Sequence, residues 1–404
     1  MENKEKIVPK KRIHSIDALR GFALIGILLL HCMERFDLTY IPVLESPFWQ
    51  PVDTAVFDVL NFLFSGKAYA MFSLLFGLSF FMQMDSAASK GQDFRGRFIW
   101  RLVLLFVFGY VNGLVYMGEF FVVYAVLGML LVPLYSVSSR ILIVLAGLLF
   151  LQIPALVSFV SLLGGSSPNE PGFLNLYMDG LYEKCADVFI HGSFADVLSF
   201  NVYEGQAAKC LWVFNNFRYL QLLGLFITGM LIGRAGIHKN EEKMVAYSRK
   251  AFPYALAWFV VFYAVAVGLP SMGVGGFALQ VGQTLFKTYA NLGQMFVYVT
   301  GLTLLYYQCK SWRSALERIA PVGRMSVTNY MFQSIAGVVL FYGFGLNLAV
   351  RCGYLESFLV GIVVCFVQIA YSNWWIKRFY YGPVEWLWRV LTWLRPVPFR
   401  RTNA

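Results

Sequence analysis

Long apolar stretches recur along most of the chain, and each is long enough to cross the hydrocarbon core as a helix. The second is too long for one straight crossing, so we expect an outer helix over 54–65 that breaks at Ser65-Gly66. The pattern predicts an all-α polytopic membrane protein with about ten transmembrane helices. The predicted spans are 15–34, 54–84, 98–117, 120–137, 140–162, 213–234, 251–271, 282–308, 325–345 and 355–376.

The distribution of basic residues predicts that both termini lie in the cytoplasm. With ten spans, 26 of the 33 Lys and Arg residues fall in the segments on the side of the termini, as the positive-inside rule requires. The net charge of +11 then reflects topology and attraction to anionic lipid, and it indicates no nucleic-acid partner.

The chain reads as a single membrane domain over 1–404. It is 58% hydrophobic and 14% charged, without an internal repeat or a low-complexity tract. We divide it into N-terminal helices over 1–163, an extracytoplasmic loop over 164–210 and a C-terminal helical region over 213–395. The six cysteines have no CxxC spacing and the histidines no ligand spacing, so no metal site is expected. Pairing of Cys185 with Cys210 stays open, as does the oligomeric state, monomer or homodimer.

The most unusual feature is an ionisable pair, Arg20 and His31, inside the first span. Eleven helical positions place both side chains on nearly the same face, about 16 Å apart along the axis. With Arg20 at the cytoplasmic interface, His31 lies near mid-membrane. A titratable ring at that depth is expensive to bury and indicates function.

Polar residues follow one face of the eighth span and one face of the ninth. Hydrogen bonding between helices is the plain explanation, but an aligned set that includes a lysine favours a wet cavity. The two sets are Gln280, Gln283, Lys287, Asn291 and Gln294, then Ser326, Asn329, Tyr330 and Gln333. We take Lys287, Asn291, Asn329 and Tyr330 as candidate substrate-binding residues. Lys67 in the second span is a further candidate, with pairing to Asp58 an equal alternative.

Two arginines open the third span, and an acid follows its end. Arg97 and Arg101 are four residues apart and share a face at the cytoplasmic boundary. Such arginines are usually topology anchors, yet beside Arg20 they also form a patch suited to phosphate. Glu119 lies at the outer end, where a carboxylate orients a histidine or relays its proton.

Several segments resemble YeiB-like bacterial membrane proteins. They are 17–28 (DALRGFALIGIL), 66–77 (GKAYAMFSLLFG) and 118–128 (GEFFVVYAVLG), with 323–330 (GRMSVTNY) and 382–389 (GPVEWLWR) in the C-terminal domain of unknown function typical of that family. The resemblance covers nearly the whole chain and implies a location in the bacterial cytoplasmic (inner) membrane.

That family is similar to a superfamily of transmembrane acyltransferases, which includes the acyltransferase-3 enzymes and heparan glucosaminide N-acetyltransferase. The resemblance implies that His31, in an Arg-x10-His pattern, is catalytic, and that Arg20, Arg97 and Arg101 bind an acyl-CoA donor. The sequence departs from the family pattern at two positions. Many YeiB-like sequences have Asn in place of His31, and the acid at Glu119 is usually Asp.

The resulting hypothesis is transfer of an acyl group, most simply acetyl from acetyl-CoA, to a hydroxyl or amine reached from the outer side. His31 and Glu119 are the expected catalytic residues. The expected partners are membrane lipid, acyl-CoA and an extracytoplasmic glycan or small-molecule acceptor. Two alternatives stay open: a transporter or flippase for a small or lipid-linked solute, and a non-catalytic scaffold built on an acyltransferase fold.

Overall fold

The structure is a computed structural model that describes residues 13–36, 38, 49–165 and 170–401. The described residues form sixteen α-helices and a single antiparallel bridge between Phe379 and Arg400. The helices are α1 (His14–Met33), α2 (Gln50–Phe64), α3 (Ala68–Ala88), α4 (Arg95–Val115), α5 (Phe121–Leu134), α6 (Ser139–Phe150), α7 (Ile153–Leu163), α8 (Phe173–His191), α9 (Phe194–Asn215), α10 (Arg218–Arg234), α11 (Glu241–Gly268), α12 (Gly276–Gln308), α13 (Lys310–Arg324), α14 (Ser326–Phe341), α15 (Tyr354–Arg378) and α16 (Pro383–Trp393).

The all-helical prediction is confirmed, and helices occupy each of the ten predicted positions. Among the described residues, six stretches are long and apolar enough to cross a membrane, namely α1, α2 with α3, α4, α6 with α7, α11 and α15. The helices α5 and α14 are apolar but shorter. The expected break is confirmed as well, because α2 ends at Phe64, Gly66 adopts a left-handed φ of 78° and α3 begins at Ala68. Left-handed backbone of this kind favours glycine. The count of ten spans and the side of the termini remain predictions.

The N-terminal helix α1 packs against α13 with direct backbone contact. Gly21 on α1 lies against the carbonyl group of Ile319, and Gly323 on α13 lies against the carbonyl group of Asp17. A Cβ atom at either glycine would collide with that backbone. Small residues at helix crossings allow such close approach in membrane proteins, and here they fix the position of α1.

Four helices were not expected from the sequence. The segment predicted as an outer loop contains α8 and most of α9, and two further amphipathic helices, α13 and α16, flank the C-terminal spans. Within the outer segment Cys185 is buried and Cys210 is exposed, and the two are not bonded to each other.

The C-terminal helix α16 is joined to the beginning of α14 by one carboxylate. Glu385 accepts hydrogen bonds from the backbone N–H of Val327 at 2.7 Å and of Thr328 at 3.1 Å, and from the Thr328 hydroxyl at 2.6 Å. The first N–H groups of a helix have no partner within the helix, and a carboxylate there also meets the positive end of the helix dipole. Glu385 therefore caps α14 from a separate element.

We expect Glu385→Ala to lower the free energy of unfolding by about 2 kcal/mol, because it leaves buried N–H groups at the start of α14 without an acceptor. Thermal unfolding of the detergent-solubilised protein measures the change. Glu385→Gln keeps one acceptor oxygen and should lose less stability. An unchanged melting temperature in the alanine variant would show that α16 is not held by this contact.

Candidate active site

One stripe of α1 connects two internal cavities. Arg20 lines an inner cavity at the N-terminal end of the helix, and Leu24, Ile27, His31 and Glu34 line an outer cavity toward its C-terminal end. The spacing of four, three, four and three residues keeps these side chains on one face. The prediction that Arg20 and His31 project from the same face is confirmed.

The outer cavity has a volume of about 440 Å³ and lies among α1, the beginning of α3, α5, α9, α10 and α14. This size suits a small molecule or a single sugar unit. Most of its wall is apolar or aromatic. Its ionisable side chains other than tyrosine are His31, Glu34, Lys209 and Arg218.

His31 lies in the wall of the outer cavity beside a carboxylate. Its Nδ1 atom is 3.3 Å from Oε2 of Glu34 and 3.3 Å from the hydroxyl of Tyr116. The ring also packs against Phe36 and Tyr116, with centroids 5.8 and 5.7 Å away. A carboxylate at one imidazole nitrogen orients the ring and stabilises its protonated form, which is the arrangement of a histidine base. Glu34 was not singled out from the sequence, although its position three residues after His31 on the same helix face was a usable signal.

Glu119 lies in the turn between α4 and α5 and is fully buried. Its carboxylate accepts hydrogen bonds from the backbone N–H of Phe121 and, at 3.3 Å, of Val122, so it caps α5. Burial raises the pKa of Glu119 to about 7, opposed by Lys209 and by the backbone N–H groups. The flanking residues Gly118 and Phe120 line the outer cavity, and the carboxylate lies behind them.

The structure separates the two residues predicted at the start of the ninth span. Tyr330 lines the outer cavity, and its hydroxyl accepts from the N–H of Phe120 at 3.2 Å. Asn329 is fully buried away from both cavities, where its amide donates to the carbonyl of Val322 at 3.0 Å and to Ser372 at 3.1 Å. Of the two, Tyr330 is the residue that can reach a bound molecule.

The inner cavity has a volume of about 170 Å³ and contains two of the three predicted arginines, Arg20 and Arg101. Arg20 donates to Asp17 at 3.2 Å and to the hydroxyl of Ser79. The guanidinium of Arg101 stacks 4.2 Å from the ring centroid of Trp388 on α16, whose indole N–H donates to the Arg101 carbonyl at 3.0 Å. Arg101 Nε is buried without a hydrogen-bond partner, so this guanidinium has a donor that the protein leaves unsatisfied.

Arg97, the third predicted arginine, does not line the inner cavity. Its guanidinium donates to the carbonyl of Thr392 at 2.8 Å and lies 5.2 Å from the ring centroid of Trp393. These contacts tie α4 to α16. Arg97 thus holds the helix that carries Trp388, which does line the cavity.

An aromatic wall separates the two cavities. Phe72, Phe121 and Tyr124 line both of them. The Tyr124 hydroxyl is hydrogen-bonded to Ser73 at 2.6 Å and to the Tyr69 carbonyl at 3.0 Å, which fixes the ring. The two cavities therefore lie end to end with these three rings between them, a group we call the aromatic wall.

The remaining candidates, Lys67, Lys287 and Asn291, line neither cavity. Lys67 is buried at the break between α2 and α3, where its ammonium donates to the Asn61 carbonyl at 3.3 Å. Asn291 packs against Gly66 beside it, and Lys287 is exposed. The structure brings these residues to one region, apart from His31.

Two cations in the outer cavity, Lys209 and Arg218, were missed by the sequence analysis. Burial lowers the pKa of Lys209, and the negative charge of Glu119 opposes this shift. The charge distribution could have pointed to them. Only seven Lys and Arg residues fall outside the segments predicted to be cytoplasmic, and Lys209 and Arg218 are two of the seven. Within the part of the chain that the structure describes, no group of three or more His, Cys, Asp or Glu side chains could hold a metal ion.

Two known protein families match separate parts of the chain. Residues 12–169 match the family of the catalytic domain of heparan-alpha-glucosaminide N-acetyltransferase, and residues 232–395 match a family of proteins of unknown function, DUF418. Residues 170–231 fall between the two matches.

Full-length relatives are similar to this chain from end to end. The uncharacterized protein YxaH of Bacillus subtilis (strain 168) is 28% identical over 99% of both chains, and the uncharacterized protein YeiB of Escherichia coli (strain K12) is 28% identical over 94% of this chain and 95% of its own. An uncharacterized 39.9 kDa protein from the amylase 3' region of Bacillus acidopullulyticus is also 28% identical, over 98% and 97%. No solved structure matches the chain significantly.

Proposed function

We propose that this chain, a YeiB-like multi-pass membrane protein by its full-length similarity, transfers an acetyl group from cytoplasmic acetyl-CoA to a hydroxyl or amine that reaches the outer cavity. The observation that carries the proposal is the single stripe of α1, with Arg20 in one cavity and the His31–Glu34 pair in the other. The match of residues 12–169 to an acetyltransferase catalytic domain supports the same chemistry.

The donor would bind from the inner side. Arg20 and Arg101 present guanidinium groups to the inner cavity, and such groups grip phosphate oxygens through paired, charge-assisted hydrogen bonds. The inner cavity is narrow, about 170 Å³, which suits the slender acyl-bearing arm of the coenzyme, with its phosphates at the mouth. Arg97 would support binding indirectly by holding α16 and its Trp388 in place.

The transfer itself needs a base and a stabilised oxyanion. His31, oriented by Glu34, would accept the proton of the acceptor hydroxyl or amine as that group attacks the thioester carbonyl. The new bond forms between the acceptor and the acyl carbon, the carbon–sulfur bond breaks, and the proton passes to the departing thiolate. Tyr330 lines the same cavity, and its hydroxyl, which donates to the Gly118 carbonyl at 3.4 Å, would turn toward the oxyanion. The acyl end must cross the aromatic wall to meet the acceptor.

The membrane arrangement follows from the same proposal. Ten spans with both termini in the cytoplasm would put the inner cavity on the cytoplasmic side of the bacterial inner membrane and the outer cavity on the opposite side. Arg20, Gln83 and Arg101 lie at one set of helix ends, and His31, Lys209 and Arg218 lie at the other. Donor and acceptor would then never need to share a compartment.

Binding and turnover of acetyl-CoA by the purified, detergent-solubilised protein test the proposal. Acetyl-labelled coenzyme should bind saturably and release acetate slowly in the absence of an acceptor.

Solute transport is the second candidate, favoured by the end-to-end alignment of the two cavities. Absence of saturable binding, together with solute flux into proteoliposomes lacking any acyl donor, would overturn the acetyltransferase and support transport.

A further inference from the structure

The outer cavity contains two fixed cations in addition to the proposed catalytic histidine. Lys209 on α9 and Arg218 on α10 both line it. Neither has a role in the transfer chemistry proposed above. Both belong to residues 170–231, the segment that neither family match covers.

Neutral partners hold both cations in place. Lys209 is 3% exposed, and its ammonium donates to the side-chain oxygen of Gln206 at 2.7 Å. The Arg218 guanidinium donates to Gln221 and to Thr288, each at 3.2 Å. The guanidinium also lies 5.9 and 5.6 Å from two aromatic ring centroids, those of Tyr69 and Trp212. These contacts fix the geometry of both cations, and none of them supplies a negative charge.

Neither cation forms an ion pair with a carboxylate among the residues that the structure describes. Glu119 acts on Lys209 electrostatically, but its carboxylate is engaged by the N–H groups that begin α5. Glu34 is 3.3 Å from His31. Arg218 Nε is buried without a hydrogen-bond partner. Lys209 is buried and Arg218 is half-buried, and cations removed from water in this way are costly unless a counter-charge is supplied. The cavity is where a ligand can supply that charge.

We propose that Lys209 and Arg218 bind an anionic group of the acceptor, a carboxylate, phosphate or sulfate, and so place its hydroxyl or amine at His31. This inference rests on the proposed function, because it takes the outer cavity as the acceptor site. A cavity of about 440 Å³ holds a sugar acid, a sugar phosphate or an anion of similar size. Acceptor choice would then be set by the segment between the two family matches, 12–169 and 232–395.

Matched pairs of neutral and anionic probes test the inference without requiring turnover. The pairs are glucose with glucose 6-phosphate, glucose with glucuronate, and glycerol with glycerol 3-phosphate. Binding to the full-length protein in detergent is measured by calorimetry with and without saturating CoA. We expect at least one anionic member to bind about tenfold or more tightly than its neutral partner, and to bind equally well when CoA is present.

Variants locate the binding site. Arg218→Gln and Lys209→Gln should each abolish the preference for the anion, while Lys184→Gln should retain it, because Lys184 is an exposed lysine on α8 paired with Glu204. Thermal unfolding and acetyl-CoA binding report whether each variant is folded. A folded double variant that keeps the preference, or a wild-type protein that shows none with any pair, would overturn the inference. Displacement of the anion by CoA would also overturn it, by assigning these cations to the donor, and would leave the acetyltransferase proposal intact.

Discussion

His31→Ala should reduce the rate of acetyl transfer by about 10²–10⁴-fold, the contribution typical of a positioned general base. The imidazole lies in the wall of the outer cavity with Glu34 3.3 Å from its Nδ1 atom. Removing the ring leaves the incoming nucleophile without a proton acceptor. Binding of acetyl-CoA should change less than twofold, because the arginines that would hold the donor line the other cavity. Acetate release and equilibrium binding of labelled acetyl-CoA measure the two quantities separately.

His191→Ala is the matched control for this substitution. His191 is an exposed residue at the end of α8, in the segment predicted to be an outer loop, and it lines neither cavity. Its loss should leave both turnover and binding unchanged. Added imidazole should partly restore turnover in His31→Ala by occupying the vacated space. Full turnover in His31→Ala would remove the histidine from the mechanism, whatever the donor.

Arg101→Ala should weaken acetyl-CoA binding by about 10- to 100-fold. A hydrogen bond to a charged group contributes about 1.5–3 kcal/mol, and each 1.4 kcal/mol is a factor of ten in the dissociation constant. Arg101 lines the inner cavity, stacks on Trp388 and retains a free Nε donor. At saturating acetyl-CoA the turnover rate should stay close to that of the wild type. Equilibrium binding and the concentration dependence of turnover measure the change.

Arg95→Ala is the control for charge at the same boundary. Arg95 is exposed at the start of α4 and pairs loosely with Asp93 at 3.8 Å. A general loss of positive charge would affect both variants equally, whereas a phosphate site in the inner cavity predicts an effect at Arg101 alone. Equal dissociation constants for Arg101→Ala and the wild type would place the donor elsewhere.

Much of the fold was predictable because it depends on local pattern. Apolar length placed helices at all ten positions, and Ser65-Gly66 marked the break between α2 and α3. The common face of Arg20 and His31 followed from helical periodicity alone. The amphipathic helices α13 and α16 were missed because α13 is too polar to resemble a span and α16, with 11 residues, is too short for one. Both cover their apolar sides against other helices.

The site was less predictable because its members meet only through tertiary packing. Lys209 and Arg218 reach the cavity from α9 and α10, and nothing local in the sequence ties them to His31. Asn329 and Tyr330 are adjacent in sequence, yet a 100° rotation sends one into the helix packing and the other into the cavity wall. Which of the two faced the cavity depended on the placement of α15 and of the turn before α5.

The close packing of α1 against α13 restricts the motion of one helix relative to the other. Transporters that alternate their access rock one bundle against another around a central site. Here a single helix, locked by backbone contact at Gly21 and Gly323, forms part of both cavities. Because this helix belongs to both cavities, a group that passes between them has to cross the three rings of the aromatic wall. On the proposed chemistry, molecules outside the membrane would be modified while the whole supply of coenzyme stays inside.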